Sequence, residues 1–366
     1  MPGDKMTLEL PSMQGPVCPL PLAHQQQIVM GHGSGGKMSL DLISQFFIPS
    51  FDNPALRAGD DAAVLNLTGP DRSKTQALRL AISTDSHVVT PLFFPGGDIG
   101  RLAVCGTVND VAMMGATPRY LTASFILEEG LDMQVLARVI GSMQSAAQEA
   151  GVAIIAGDTK VVQKGKADGL YISTTGVGVI LEDVQISGSR ARPGDAIILS
   201  GTIGDHGIAV LGARGELGFE SDIQSDIAPL NHIVQAAISA SKRIHVMRDP
   251  TRGGLATSLN EIARQSRVGI LLNESEIPVK PAVASACEML GFDPLYIANE
   301  GKLIIILPQE DAETVLEAVR RTPYGADAVI IGAVQSEPRG RVLMRTTFGT
   351  TRIVDIPTGE ILPRIC

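Results

Sequence analysis

Four carboxylate sites stand among small or apolar residues in the first half of the sequence: Asp60 and Asp61 in GDDAAVL, Asp85 in STDSHVV, Asp110 in GTVNDVAMMGA and Asp158 in AGDTK. Upstream runs GHGSGGK (31–37), a glycine loop whose backbone can approach an anion closely, with Lys37 supplying charge. Together they match what a magnesium–nucleotide site needs, because magnesium takes oxygen ligands and bridges carboxylates to phosphates. The loop is not a Walker loop, since Met38 follows the lysine where Ser or Thr is required. Asp110 is the most telling residue. It interrupts an apolar helical stretch, and Gly106 and Thr107 lie one turn back on its face, leaving room for a ligand. A buried carboxylate needs a partner. Either Arg101 or Arg119 pairs with Asp110, or a hard cation does.

The second half carries SGTIGDHGIAVL, RDPTRGGLATSLNEIA and DPLYIANEGKLIII. Thr251 can cap the helix that follows it, and Gly253 and Gly254 permit close backbone approach. Glu300 precedes an apolar strand, where it either does chemistry or pairs with Lys302 at a turn. His87 and His206 read as hydrogen-bonded loop histidines, because no H-x-x-x-H pairing supports a metal role. The four cysteines, at 18, 105, 287 and 366, show no CxxC and no zinc-like Cys/His spacing. Cys105 and Cys287 fall in helical apolar patterns and are expected in cores. Cys366 ends the sequence, so it lacks the three following residues that a prenylation signal requires. Chain ends are normally mobile, so this thiol is either incidental or rides on an arm that carries a group.

Elements must position these residues. A chain of 366 residues suits two globular domains, each with its own core, and 44% hydrophobic with 19% charged residues fits well-packed domains. The net charge of −9, with no Lys/Arg-rich run, argues against nucleic acid. No apolar run reaches membrane-spanning length and the first residues lack a basic start with an apolar core, so no membrane role and a cytoplasmic location are expected. The runs LRLAIST, AIIAGD, GLYISTTGVGVI, AIILSG, KLIIIL and DAVIIGAV read as strands of an α/β fold. Between them LDMQVLARVIGSMQSAAQEAG reads as a helix with an apolar stripe of Leu131, Val135, Leu136, Val139, Ile140 and Met143, stopped by Gly151. The polar junction ISGSRARPGDA separates a first domain at 28–186 from a second at 190–345. Residues 1–27 form a proline-marked extension expected to be poorly ordered, and 346–366 a flexible tail with weak strand signals.

The motifs HGSGGK, TDSHVV, FPGGDIG, CGTVNDVA, GDTKVV, GDHGIA, RDPTRGG, ANEGK and the terminal PRIC, in this order from Ile28 to Cys366, resemble the HypE family of hydrogenase maturation factors, which are carbamoyl dehydratases. The family is similar to aminoimidazole ribonucleotide synthetase and selenophosphate synthetase. The resemblance implies a two-domain α/β fold and a homodimer whose first-domain sheets join into a barrel, with ATP at that interface. It implies that Cys366 accepts a carbamoyl group from HypF, that the enzyme uses ATP to dehydrate the S-carboxamide to an S-cyanide, and that a HypC–HypD complex takes the cyanide for the iron of nickel–iron hydrogenase. Lys160 and Glu300 are the expected proton-handling pair. Asp61, Asp85, Asp110 and Asp158 are the expected Mg2+ ligands or the shell behind them. His32, Gly33, Ser34, Gly35, Gly36 and Lys37, with Asn109 and Thr159, are expected to contact the nucleotide. Strand alternation would put Lys160 and Asp158 on one face. The competing expectation is a small-molecule phosphotransferase of the selenophosphate synthetase type, but HGSGGK lacks that family's reactive cysteine.

Overall fold

The computed structural model describes residues 27–67, 78–181, 183–215, 222–357 and Ile365. Cys18, Cys366 and Arg364 lie outside them, as does nearly all of the 1–27 extension.

Three short helices, α1 (Lys37–Leu42), α2 (Ile48–Ser50) and α3 (Pro54–Ala58), lead into the first domain. There follow β1 (Ala63–Leu67), β2 (Leu78–His87), a small hairpin of β3 (Phe93–Phe94) and β4 (Gly97–Asp98), and α4 (Ile99–Met113). Then come β5 (Ala116–Glu128), α5 (Met133–Ala150), β6 (Ala153–Val162) and β7 (Leu170–Ile180). The sheet runs β1-β2-β7-β5-β6, antiparallel except for the β5–β6 pair. The central strand β7 alternates buried and half-buried residues without a break, as period two requires. Helix α4 lies flat on it, because a Cβ at Gly178 would come within 2.5 Å of Val111. Asp98 caps α4 by accepting from Gly100 N at 2.7 Å and Arg101 N at 3.2 Å.

The second domain contains β8 (Asp195–Leu199), α6 (Asp205–Ala213), α7 (Asn231–Ala240), β9 (Val246–Arg248) and α8 (Gly254–Ser266). It continues through β10 (Gly269–Asn273), α9 (Pro281–Leu290), β11 (Ile304–Pro308), α10 (Ala312–Arg320), β12 (Val329–Gln335), β13 (Arg341–Arg345) and β14 (Thr351–Val354). Its seven-stranded sheet runs β14-β13-β10-β12-β8-β11-β9. Strands β8 and β11 are apolar on both faces because helices cover both. Ile197, Leu199, Ile304 and Ile306 pack towards α8, while Ile198, Ile305 and Leu307 join α7 and α10.

The two domains do not keep wholly separate cores. One cluster joins Val111, Met113, Met114 and Ile180 of the first domain to Ile198, Ile233, Met247 and Ile305 of the second. Helix α4 is therefore apolar nearly all round, as a helix buried on every side must be. The weak strand signals after Thr346 become β14, paired with β13, so the second sheet reaches Val354.

The expected helix at 131–151 is α5, capped by Asp132 and ended by left-handed Gly151. Its buried face is rotated from the expected stripe towards Val139, Met143, Ala146, Ala147 and Ala150, leaving Ile140 43% exposed. Close approach to α4 is the reason: a Cβ at Gly100 would stand 2.4 Å from Val139 O, so small residues line the contact. Strand β5 is not among the expected strands; its run YLTASFIL is strand-like, but Pro118 and a register slip between Pro118 and Tyr120 interrupt its start. Cys105 and Cys287 are buried, as expected. Among the described residues no helix is long and apolar enough to cross a membrane.

Candidate active site

Strand β2, helix α4 and the segment after β9 bring carboxylates together where the two domains meet. Asp61, Asp85 and Asp110 form a partly accessible rim, and Asp249 and Glu300 lie deep and buried. Burial, together with the charges of Asp249, Asp85 and Asp61, holds the Asp110 carboxyl well above the usual range. Burial and the charge of Asp61 push Asp249 up to about 8. Glu300 is also well above its ordinary value, first through burial and then through Asp249, Asp85 and Asp226. Asp249 Oδ2 and Glu300 Oε1 are buried and have no hydrogen-bond partner among the described residues.

Local cations relieve only part of this charge. Arg248 Nε meets Asp61 Oδ1 at 2.8 Å and its NH1 meets Glu261 at 3.0 Å, so Asp61 is already paired. Arg252 opposes the rise at Glu300, yet its NH1 donates to Gly33 O at 2.7 Å. An all-oxygen set with too little positive charge nearby fits a hard cation. Among the described residues of this chain, however, no three His, Cys, Asp or Glu side chains stand close enough to hold a metal alone.

Several expected partners differ in the structure. Arg101 pairs with Glu149 at 2.6 Å, and Arg119 is exposed, so neither serves Asp110, which accepts from Ser83 Oγ at 2.7 Å. Gly106 makes room for a histidine, not a ligand: its Cβ would stand 2.9 Å from His87 Nε2, which lies 3.3 Å from Asp85 Oδ2. Thr107 is spent on Thr174 at 2.6 Å. Lys302 pairs with Asp226 at 3.3 Å, leaving Glu300 free of it. Thr251 does not cap α8 through its side chain. The glycines there serve packing, since a Cβ at Gly254 would come 2.5 Å from Leu295 O.

Asn109, expected at the nucleotide, is buried and saturated by protein. Its Nδ2 donates to Ala228 O at 3.1 Å and Glu300 O at 3.3 Å, and its Oδ1 accepts from Leu230 N at 2.8 Å. It fixes the Glu300 backbone instead. Consecutive helical residues point about 100° apart, so Asn109 reaches the second domain while neighbouring Asp110 meets Ser83 of β2.

The glycine loop lies at the mouth of the cluster. His32 turns back to accept from Val29 N at 3.0 Å, Ser34 donates to Gly31 O at 2.8 Å, and Gly35 N donates to Ser39 at 3.0 Å. Gly35 is left-handed (φ 76°) and directly over Arg252, where a Cβ would be 2.9 Å from Arg252 Cβ. A Cβ at Gly36 would stand 2.7 Å from Pro357 O. The loop is thus clamped between the second domain and the start of the tail, with Lys37 exposed.

Asp158, Thr159 and Lys160 stand elsewhere in the chain. Asp158 and Lys160 do share a face of β6, with Lys160 Nζ 2.6 Å from Asp158 Oδ2. Yet β6 is the sheet edge, and Asp85 is level with Gly157 through Thr174 and Ala123. Three strand spacings, roughly 14 Å, lie between. Nine of the ten β6 residues are exposed, among them Ile154 and Ile155, and both side chains of the pair are largely exposed.

The tail re-enters the molecule. Ile365 is 4% exposed, forms an isolated antiparallel bridge with Val89 and joins the core cluster of Phe94, Leu102, Ile172 and Ala298. Burying such a side chain stabilises by about 1.5–3 kcal/mol. Its carbonyl lies 2.5 Å from His206 Nε2. Both histidines are buried, in β2 and α6, and neither lies in a loop. Sequence reasoning also missed Arg248, Asp249 and Arg252, whose only signal was the run RDPTRGG, and Asp226, which holds Glu300 N at 3.0 Å.

Known proteins resemble the chain in sequence and fold. Residues 59–180 match the family "AIR synthase related protein, N-terminal domain", and residues 192–345 its C-terminal domain counterpart. The carbamoyl dehydratase HypE of Cupriavidus necator is 53% identical over 93% of this chain and 95% of its own. A crystal structure of a HypE–HypF complex is similar with a TM-score of 0.80 at 49% identity, covering 86% of this chain and 99% of that one. A crystal structure of HypE in complex with ATP has a TM-score of 0.76 at 53% identity, covering 93% of this chain and all of that one (100%). By sequence over nearly its whole length and by fold, the chain belongs to the HypE carbamoyl dehydratase family.

Proposed function

We propose that the protein uses ATP to remove water from a carboxamide carried on its own Cys366, leaving an S-cyanide that becomes the cyanide ligand of nickel–iron hydrogenase. The observation that carries this reading is the seating of Ile365. The residue immediately before Cys366 is buried at the domain junction, and loop 225–228 links its histidine partner to Glu300. The relatives named for carbamoyl dehydration and the ATP-bound neighbour support it. HypF is the proposed carbamoyl donor and a HypC–HypD complex the proposed acceptor. The phosphotransferase alternative finds no support in these relatives.

Dehydrating a primary carboxamide requires a better leaving group than hydroxide. Phosphoryl transfer from ATP to the carboxamide oxygen supplies one, and both nitrogen protons leave as the C≡N bond forms and phosphate departs. The products are S-cyanide, ADP and phosphate. Magnesium would be shared between the phosphate oxygens and at most two carboxylates of the Asp85, Asp110 and Asp249 cluster, with Asp61 behind them, and would neutralise phosphate charge. The loop His32–Lys37 covers the phosphates, with Arg252 beneath it. Glu300, whose buried carboxyl has a raised pKa, is a strong enough base to hold a proton leaving nitrogen.

Asp158, Thr159 and Lys160 enter the site from a second copy. An exposed edge strand bearing apolar residues is a liability unless covered, and a homodimer joined through β6 would cover it. Co-expressed Lys160→Ala and Glu300→Gln chains, each inactive alone, should regain up to about a quarter of wild-type dehydration, because one site in each mixed dimer is intact. No recovery in purified mixed dimers would place both residues in one subunit.

The magnesium assignment predicts a pH signature. Asp249 has a folded pKa of about 8 against an ordinary 3.8. Its contribution to stability is therefore full below the lower value and lost as pH rises towards the upper one. Thermal melts should show magnesium restoring more stability at pH 8 than at pH 5, where protons occupy the site. Equal magnesium effects at both values would contradict the assignment. The function itself is tested by phosphate release with and without a carbamoylated tail. Release should require the modified tail, and equal release without it would overturn the reading.

A further inference from the structure

His206 is fully buried and belongs to no step described above. Its surroundings fix its hydrogens. The Ile365 carbonyl, 2.5 Å from Nε2, can only accept, so Nε2 carries the hydrogen. Nδ1 then accepts from the Ser225 hydroxyl at 2.9 Å, and Ser225 Oγ in turn accepts from Ile227 N at 3.2 Å. The bonds run one way, from the Ile227 amide to the last peptide carbonyl before Cys366. Phe94 stands edge-on to the imidazole, with ring centroids 5.6 Å apart, and limits its tilt. Asp226 and Arg214 are the charged groups acting on it, and burial keeps it neutral.

The same short segment orients the base. Asp226 Oδ1 accepts from Glu300 N at 3.0 Å, and Ala228 O accepts from Asn109. Ser225 N is anchored to Pro95 O at 2.8 Å. At Gly301 a Cβ would stand 1.7 Å from Asp226 O, so the Glu300 turn is fitted to this segment.

We infer that His206 is a positioning residue for the dehydration: loop 225–228 acts as one template that sets the tail's register through His206 and the place of Glu300 through Asp226. This rests on the proposed function. A neutral hydrogen bond holds the tail without the strength of an ion pair, which suits an arm that must leave to be carbamoylated.

The experiment uses the full-length dimer with three variants. His206→Leu removes the donor but keeps much of the volume. His206→Gln keeps an amide N–H near the Nε2 position. Ser225→Ala, the mildest change, releases the imidazole's orientation. Two quantities are read: single-turnover conversion of the preformed S-carboxamide to S-cyanide, and the rate at which iodoacetamide alkylates unmodified Cys366 in the presence of ATP. His206→Leu should convert roughly tenfold more slowly and be alkylated faster, with ATP affinity unchanged. Ser225→Ala should shift both in the same direction, and His206→Gln should recover much of each. Wild-type conversion and wild-type protection in His206→Leu would overturn the inference. So would a His206→Gln variant no better than His206→Leu, because the donor would then be irrelevant. Alkylation does not depend on dehydration, so a wild type that protects its thiol but makes no cyanide would count against the proposed function while leaving the latch standing.

Discussion

Cys366→Ala is expected to reduce cyanide formation to background while folding and ATP binding persist. The substitution changes no residue of the core clusters, the carboxylate rim or the glycine loop. The other cysteines offer no substitute among the described residues. Cys105 and Cys287 are buried, and burial raises their thiols to about 12 and about 11, which suppresses the thiolate that any acceptor of a carbamoyl group needs. Cyanide production by Cys366→Ala, measured by transfer to an acceptor or by trapping, would mean that another nucleophile carries the group.

Glu300→Gln should allow carbamoylation of Cys366 and block its dehydration, lowering conversion by at least about a hundredfold, the lower range for loss of a positioned general base. Glutamine keeps the shape, and the backbone contacts with Asp226 and Asn109 do not involve the substituted atoms. A structural role predicts the opposite pattern. Burial penalises the ionised carboxylate, so the variant should melt no lower than wild type at pH 8. A stable variant that accumulates carboxamide despite ATP assigns Glu300 to the chemistry. Normal conversion would return it to a packing role.

Much of this site could be read in the sequence, and the failures have physical causes. Asp85 and Asp110 were legible because a carboxylate inside an apolar stretch demands a partner. Which partner it finds is set by tertiary geometry: Arg101 goes to Glu149 and Lys302 to Asp226, neither close in sequence to its mate. Asp249 and Arg252 were hidden because charges before a helix read as solvated, and only the fold turns them inward. The alternation that places Asp158 beside Lys160 held, but no local pattern reveals that β6 is an uncovered edge. The apolar strands β8 and β11 were plain from composition, whereas β5 was masked by Pro118. The tail's strand signals were weak because β14 lies at the rim of its sheet, where only one neighbour constrains it.

In the proposed reaction the terminal cysteine is both carrier and site of reaction. The direct measurement is the intact mass of the purified chain after incubation with HypF, carbamoyl phosphate and ATP, with the C-terminal peptide isolated. The expected result is a carbamoyl addition on Cys366 that converts, with ATP and only in the presence of Glu300, to replacement of the thiol hydrogen by cyano. A carbamoyl addition that persists in wild-type protein with ATP, or a modification mapping away from Cys366, would contradict it.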